Sequence, residues 1–473
     1  MTALPLLIAA SLSLAHAQDT DLTVYRSDDG ALFNAGDGAS VNAGYAVVHE
    51  SRSLTLQTGA QTLTLDGLPL YVDTEALALN FPGQTVQVLW QRLLLPQGQN
   101  AALASLVGQQ VEVVGNSGQP LVAGRLQQVS DSGLLIAGTQ GQTTLVRNYA
   151  AVRSSASLHA GAQLQLRLDA KRAGTAAATL SYPTAGLGWH AAYIGTLQPG
   201  QACRLQLESR ASVANRSGRD WQGVKLKLVA GQPNMQRNGG PQPIMMMARK
   251  GSGEADVASQ STLGDYRSFS VPGTVDLPDG SVSQSPLYAT RGIDCQRTTL
   301  VESGNSWSPP KPNLVDGGTG EEHPNVISTL GFTAFDSLPA GNLRVLSIDR
   351  DGNAEFVGEG QLPDTPKAQP VQLTLGQVFD LSATRERGAF KIDQAARQMD
   401  EAFKLRLSNA GDSPRTVTVR EHPSRWRQWT VLSSSVPPAR QTTDTLEFTL
   451  SVPAHGQATL DYALRYQWSA ADD

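Results

Sequence analysis

Cysteine is almost absent: the 473 residues contain two, Cys203 and Cys295, and no C-x-x-C pair that would suit thiol exchange. Aromatic residues make up only 6% of the chain. Neither sign of charge dominates, and the formal net charge of -5 provides no basic field for capturing nucleic acid. No apolar run is long enough to cross a bilayer as a helix, which takes about 20 residues. The motifs G-x-S-x-G, G-x-G-x-x-G, the P-loop and H-E-x-x-H are missing, as is any paired histidine spacing for a metal. Dispersed catalytic groups leave no such signature, so these absences lower the prospects of an enzyme without excluding one.

What is present is glycine, 45 residues, and proline, 26. That richness suits many short strands joined by turns. The N-terminus, "MTALPLLIAASLSLAHAQ", carries a short apolar run from Leu4 to Leu14 and then Ala15-His16-Ala17, a small-x-small cleavage site. Residues 1–17 read as a secretory signal, although no Lys or Arg precedes the apolar run. The mature chain is expected to begin at Gln18, to be exported, periplasmic or secreted, and to carry no transmembrane span. In that compartment Cys203 and Cys295 suggest one disulfide, the alternative being two isolated thiols.

Period-two alternation recurs along the chain. "AVVHESRSLTLQTGAQTLTLDGLPLYVD" predicts strands near Ala46–Glu50, Leu54–Gln57 and Gln61–Leu65, and Thr85–Leu95 adds another. Residues 18–99 read as an N-terminal β domain. In residues 100–155, Asn100 caps a short helix ending at Gly108. Four short strands and Asn/Ser/Gly/Asp turns follow, the pattern of a small SH3- or Sm-like barrel. Residues 156–232 form the first part of a main β-sandwich and 326–473 the second. Between them, 233–325 reads as an irregular low-complexity insertion, with strand-like pieces at Tyr266–Val271 and Gln296–Val301. The expected fold class is all-β: sandwich domains plus a small barrel, with long irregular insertions.

Six segments then occur in order: "GWHAAY", "VANRSGRDWQGVKLKLVAGQPN", "LPAGNLRVL", "FVGEGQLPDTPKAQPVQLTLGQVFDL", "RLSNAGDSPRTVTVRE" and "VPAHGQATLDYALRY". Together, over about residues 180 to 468, they resemble the bacterial domain-of-unknown-function family 4139, mucoidy-inhibitor-A-like. Residues 46–73 are similar to the N-terminal β domain often found with it. The resemblance implies an exported β protein and no reaction. Where that family often carries a helical coiled-coil insertion this chain has the small barrel, so self-association by helices is not carried over.

Individual residues have competing readings. Asp220-Trp221 follows the turn formers Asn215, Ser217 and Gly218. Asp220 is expected to accept backbone N–H groups there, with Trp221 closing the end of a sandwich; the alternative is a sugar-stacking indole. Trp189 reads the same way. "DRDGNAE" (Asp349–Glu355) is an Asp-Gly hairpin turn or, less simply, a set of oxygen donors for calcium. Met235 and Met245–Met247 form a sticky apolar spot or a thioether site for Cu(I). Glu321-Glu322-His323 is a solvated tip. "REHPSRWRQW" places Arg425, Trp426 and Trp429 together as a possible interaction patch for an anionic glycan or lipid headgroup, or as a strand edge with arginines lying over indoles. No cofactor, metal or catalytic set is assigned. The partner expected is an envelope protein or a glycan and not nucleic acid, which makes a non-enzymatic envelope protein the leading expectation and a carbohydrate-active hydrolase the alternative.

Overall fold

The computed structural model describes residues 19–34, 41–83, 85–95, 103, 106–130, 132–138, 141–155, 162–200, 202–231, 257–264, 266–304, 309–316 and 320–472. The expected signal segment, Asn100 and the methionines at 235 and 245–247 lie outside them. Strands make up nearly all the regular structure, as the alternation requires. Apart from strands, the described residues include only short helical turns, such as Gly30–Phe33, which Asp29 caps by accepting the Ala31 N–H at 3.0 Å. The all-β class expected from the sequence is borne out.

The chain forms two compact units. The first holds residues Met1–Ala191 and Arg210–Ala289, the second Ala192–Ser209 and Thr290–Asp473. In the first, an eight-stranded sheet runs Ser259–Leu263, Tyr266–Ser270, Trp221–Ala230, Thr20–Tyr25, Ala46–Leu56, Gly174–Thr184 and Ala78–Asn80, with Val275–Leu277 also on Trp221–Ala230. Thr20–Tyr25 lies parallel to Trp221–Ala230 and antiparallel to Ala46–Leu56. The segment read as an N-terminal domain therefore shares its sheet with strands from the main family region. Alternation identifies a strand but not its neighbour, so the boundary at residue 99 is not where the packing divides.

Residues 110–154 form a separate five-stranded antiparallel sheet in the first unit, in the order Ala151–Ser154, Gln110–Val114, Pro120–Ser130, Gly133–Ala137 and Thr143–Val146. Its core gathers Leu106, Val111, Val113, Leu126, Leu134, Ile136 and Val146. The sheet is open among the described residues, ending on Ala151–Ser154 and Thr143–Val146.

The second unit is a sandwich. One sheet runs Glu321–Glu322, Leu381–Asp393, Gln398–Asn409, Gly456–Gln467 and Trp429–Ser434. The other orders Ala354–Leu362, Gly341–Ile348, Leu187–Leu197, Arg204–Asn215, Ser281–Gly304, Arg415–His422, Leu446–Val452 and Arg440–Gln441. Of the three strands that also run into the first unit, residues 192–197, 204–209 and 290–304 belong here. Inward side chains of both sheets make one core, among them Met399, Phe403, Leu405, Val417, Val419, Phe448, Leu460 and Tyr462.

The stretch read as an irregular insertion needs correcting. Residues 259–304 contain four strands, one of them the 24-residue Ser281–Gly304. Its many exposed polar positions weaken the local signal. Order comes from pairing, antiparallel to Val326–Thr333 and parallel to Arg415–His422. Cys203 and Cys295 are joined as a disulfide, with Cα atoms 5.0 Å apart, and the Cys295 N–H donates to the Cys203 carbonyl at 3.1 Å.

A bond closing 92 residues removes a large share of denatured-state entropy. Replacing both cysteines by serine is expected to cost the second unit about 2–5 kcal/mol. Urea unfolding monitored by fluorescence checks this; coincident midpoints for variant and parent would refute it.

Candidate functional site

The turn after Arg204–Asn215 is built from side chains that bond to each other. Asn215 donates from Nδ2 to the carbonyls of Arg219 and Leu277, both at 2.8 Å. Its Oδ1 accepts the Ser217 N–H at 3.1 Å and the Ser217 hydroxyl at 2.7 Å. Gly218 has φ +76°, and a Cβ there would lie 2.4 Å from the Leu70 side chain, so glycine is required on both counts. Asp220 accepts the Asp279 N–H at 2.8 Å, and Asp279 in return accepts the Gly218 N–H at 2.9 Å. Trp221 is buried, its indole N–H donating to Ser217 Oγ at 3.1 Å. Trp189 is equally buried, with its N–H on the Val229 carbonyl at 3.0 Å. Neither indole presents a face on which a sugar can stack.

The same turn delivers Arg219 into the interior of the first unit. Its guanidinium lies 4.2 Å from the Trp221 ring centre. It donates to Glu50 Oε2 at 3.0 Å and to the Tyr182 hydroxyl at 2.9 Å. Arg52 and Tyr182 each donate to Glu50 Oε1 at 3.0 Å. Burial pushes the Glu50 carboxyl up, but the charge and hydrogen bonds of Arg219, then of Arg52, outweigh it and hold it below the ordinary carboxylate range. The Tyr182 phenol goes the other way, well up, from burial and then from the neighbouring Glu50 charge.

A comparable arrangement fills one end of the second unit's sandwich. Arg425 and Trp426 are buried, not displayed on a face, and this corrects the surface patch read from "REHPSRWRQW". Arg425 makes a two-pronged pair with Glu401, both contacts at 2.8 Å, and donates to the carbonyls of Asn313 and Val315 at 3.1 and 2.9 Å. The Arg427 guanidinium stands over the Trp426 ring at 4.3 Å. Trp429 is half-buried and donates to the Thr443 carbonyl at 2.8 Å. Arg385 pairs through two nitrogens with Glu421, at 3.2 and 3.1 Å, reaches Glu322 at 3.0 Å, and lies 3.8 Å from the Phe403 ring centre. Arg387 pairs with Asp316 and stands 3.7 Å from Glu401. Burial raises the Glu421 carboxyl above its ordinary range, and Arg385 offsets only part of that.

Glu50, Arg219, Arg385, Glu401 and Glu421 were not singled out from the sequence, yet four of them carried a signal. Each glutamate, and Arg385, falls in phase with inward apolar neighbours: Glu50 with Ala46 and Val48, Glu401 with Met399 and Phe403, Glu421 with Val417 and Val419, Arg385 with Leu381 and Ala383. A charge on the buried phase needs a buried partner. The Asp349 carboxylate, a possible calcium ligand by sequence, instead accepts the N–H groups of Asp351 and Asn353 at 2.9 and 2.8 Å, closing its own hairpin turn. Glu322 reaches Arg385, while His323 stands 3.7 Å from Glu321.

On the second unit's sheet of Leu381–Asp393, Gln398–Asn409, Gly456–Gln467 and Trp429–Ser434 lies an open depression of about 470 Å³. Gly388, Ala402 and Ala463 line it together with Glu386, Lys404, Asp461 and Ser433–Ser435. Lys404 stands between Glu386 and Asp461 in the strand register and is 4.0 Å from Asp461.

These features define an all-β protein of two units with charge pairs built into their interiors. Residues 178–470 match Domain of unknown function (DUF4139), and the chain belongs to that family. No curated protein matches the chain.

Glu50 yields a prediction with a definite sign. Its folded pKa is depressed, so its stabilisation is present above the unfolded value, about pH 4, and is lost as pH falls through the folded value. Arg219→Ala strips the strongest partner and is expected to cost about 3–5 kcal/mol at neutral pH and much less in acid, where Glu50 protonates. Urea midpoints at the two pH values check it; an equal loss at both would count against the pairing.

Proposed function

We propose that the chain is an exported envelope protein that binds a partner through its β surfaces and performs no reaction. The observation that carries this reading is how the buried charges are used. Glu50 with Arg219, Glu421 with Arg385, and Glu401 with Arg425 are tied to one another, which suits a rigid scaffold. Export is supported by the Leu4–Leu14 run with Ala15-His16-Ala17, and by a disulfide, a bond that persists in oxidising compartments. The six ordered segments carry the finer likeness to mucoidy-inhibitor-A-like proteins, and the five-stranded antiparallel sheet at 110–154 suits an Sm- or SH3-like module used for binding.

A second reading takes the open depression with Glu386, Lys404, Asp461 and Ser433–Ser435 as a glycan seat, its hydroxyls and charges offering hydrogen bonds to sugar hydroxyls. A glycan array with the mature chain, repeated on Lys404→Ala, addresses it.

The leading reading is tested by expressing the full chain in a bacterium and fractionating the cells. The exported fraction is expected to hold protein beginning at Gln18 with no reactive thiol, and crosslinking in those cells is expected to trap a discrete envelope partner. Full-length chain in the cytoplasm with two titratable thiols would overturn the export reading. Absence of any crosslinked partner would overturn the binding reading.

A further inference from the structure

The first unit also holds a three-stranded antiparallel sheet, in which Ala162–Ala170 lies between Gly59–Leu68 and Val86–Leu94. One face of it is interior, with Leu164, Leu166 and Leu168 at most 1% exposed. The other face turns to solvent. Residues directly opposite in an antiparallel pair share a face. The register therefore sets Thr64, Gln165 and Arg92 in one outward row, and Thr62, Arg167 and Trp90 in the next. Beyond them, past an irregularity in the pairing, Gln87 stands opposite Asp169. Gln165 and Trp90 are half-buried, and the others in these rows are exposed.

Trp90 is placed differently from Trp189 and Trp221, which are both buried and hydrogen-bonded inside the first unit. It stands on the outer face, with the Arg92 guanidinium 5.1 Å from its ring centre. Arg167 is its cross-strand neighbour. Arg92 and Arg167 are diagonal neighbours, and such positions lie about 7–8 Å apart, close enough for their like charges to repel. Among the described residues neither arginine is in an ion pair, although Asp169 is only two places from Arg167. The interior arginines Arg219, Arg385 and Arg425 each grip a glutamate instead.

An anion seated between the two guanidiniums relieves that repulsion, and arginine is the side chain best shaped for a planar carboxylate. Two cations are fewer than the cluster of about four to eight that draws a protein to an acidic bilayer. They are also fewer than the track of contacts that holds a nucleic-acid backbone. The other groups of the face suit a sugar. Glutamine amides and threonine hydroxyls both donate and accept hydrogen bonds, as sugar hydroxyls do. A half-open indole offers an apolar platform to the C–H face of a pyranose ring.

We propose that this face binds an acidic polysaccharide. A carboxylate-bearing pyranose lies on Trp90, its carboxylate bridges Arg92 and Arg167, and Gln87, Gln165 and Thr62 take its hydroxyls. This gives a surface and a ligand class to the binding role proposed above and rests on that role. It is a different surface from the depression beside Lys404 in the second unit.

The test runs the mature chain by affinity electrophoresis through gels that hold polygalacturonate, its methyl-esterified form, or neither. Polygalacturonate is expected to retard the chain saturably, and the ester, which keeps the sugar but not the charge, to bind about tenfold more weakly or worse. Arg92→Gln, Arg167→Gln and Trp90→Ala are each expected to weaken polygalacturonate by about tenfold. Both arginines are exposed, and an unchanged circular dichroism spectrum verifies that their variants fold. Lys404→Ala is expected to leave binding at the parent's level. The proposal is overturned by no retardation, by equal binding of acid and ester, or by parent-level binding of the Arg92→Gln, Arg167→Gln double variant. It is overturned too by loss of binding in Lys404→Ala, which moves the glycan to the depression. Co-sedimentation with phosphatidylglycerol vesicles that the double variant loses would assign the face to lipid instead. If polygalacturonate fails to bind while crosslinking in cells still traps an envelope partner, this face is wrong and the binding role stands.

Discussion

A strand covered on one side commits every second side chain to the interior, and this chain sets glutamates on that committed phase. Glu50, Glu401 and Glu421 are each at most 4% exposed. A carboxylate taken out of water loses several kcal/mol of solvation, and only a well-placed cation with good hydrogen bonds returns it. Each therefore requires an arginine at a fixed place, and the arginines come from distant parts of the sequence. Arg219 arrives from a turn and Arg425 from the segment after Arg415–His422. The pairs thus specify which loop must close over which end of a sheet. Their contribution lies more in specificity than in net stability, since a well-packed apolar set would hold the same space at no greater cost.

The 215–221 turn shows how that specification is carried through. Asn215 uses both of its amide ends, Ser217 links it to the Trp221 indole, and Asp220 accepts the Asp279 N–H while Gly218 donates to the Asp279 carboxylate. Arg219 projects from the centre of this bonded set, so its guanidinium is already aimed when it meets Glu50 and Tyr182. The second unit repeats the logic with different parts. Arg425 holds the carbonyls of Asn313 and Val315 while gripping Glu401, and Arg385 joins Glu421 to Glu322. Charges spent in this way stiffen a scaffold.

Much of the architecture was legible in residue order. Alternation marked strands near Ala46–Glu50 and Leu54–Gln57, which the structure joins as Ala46–Leu56, and near Gln61–Leu65, inside Gly59–Leu68, and Asp-Gly marked the hairpin at 351–352. The six ordered segments pointed to the family that the chain belongs to. The misreadings have a common cause. "REHPSRWRQW" is short and aperiodic, so nothing local shows that Arg425 and Trp426 turn inward. Ser281–Gly304 is polar along much of its length, so its strand character depends on neighbours that the local sequence does not contain. Inward glutamates were visible as charges in phase with apolar residues, but phase alone does not name the arginine that answers them.

The sequence by itself determined the period-two pattern, the turns between strands and hence the all-β class, because side-chain alternation and glycine conformation act within a few residues. Tertiary structure alone decided which strands became neighbours. Thr20–Tyr25 lies parallel to Trp221–Ala230 across some two hundred residues of intervening chain, and Cys203 meets Cys295 across 92. It also decided which charges are interior. The physical reason is the reach of the forces involved: propensity is local, whereas the desolvation of a buried carboxylate is relieved only by whatever the completed fold brings within hydrogen-bonding distance.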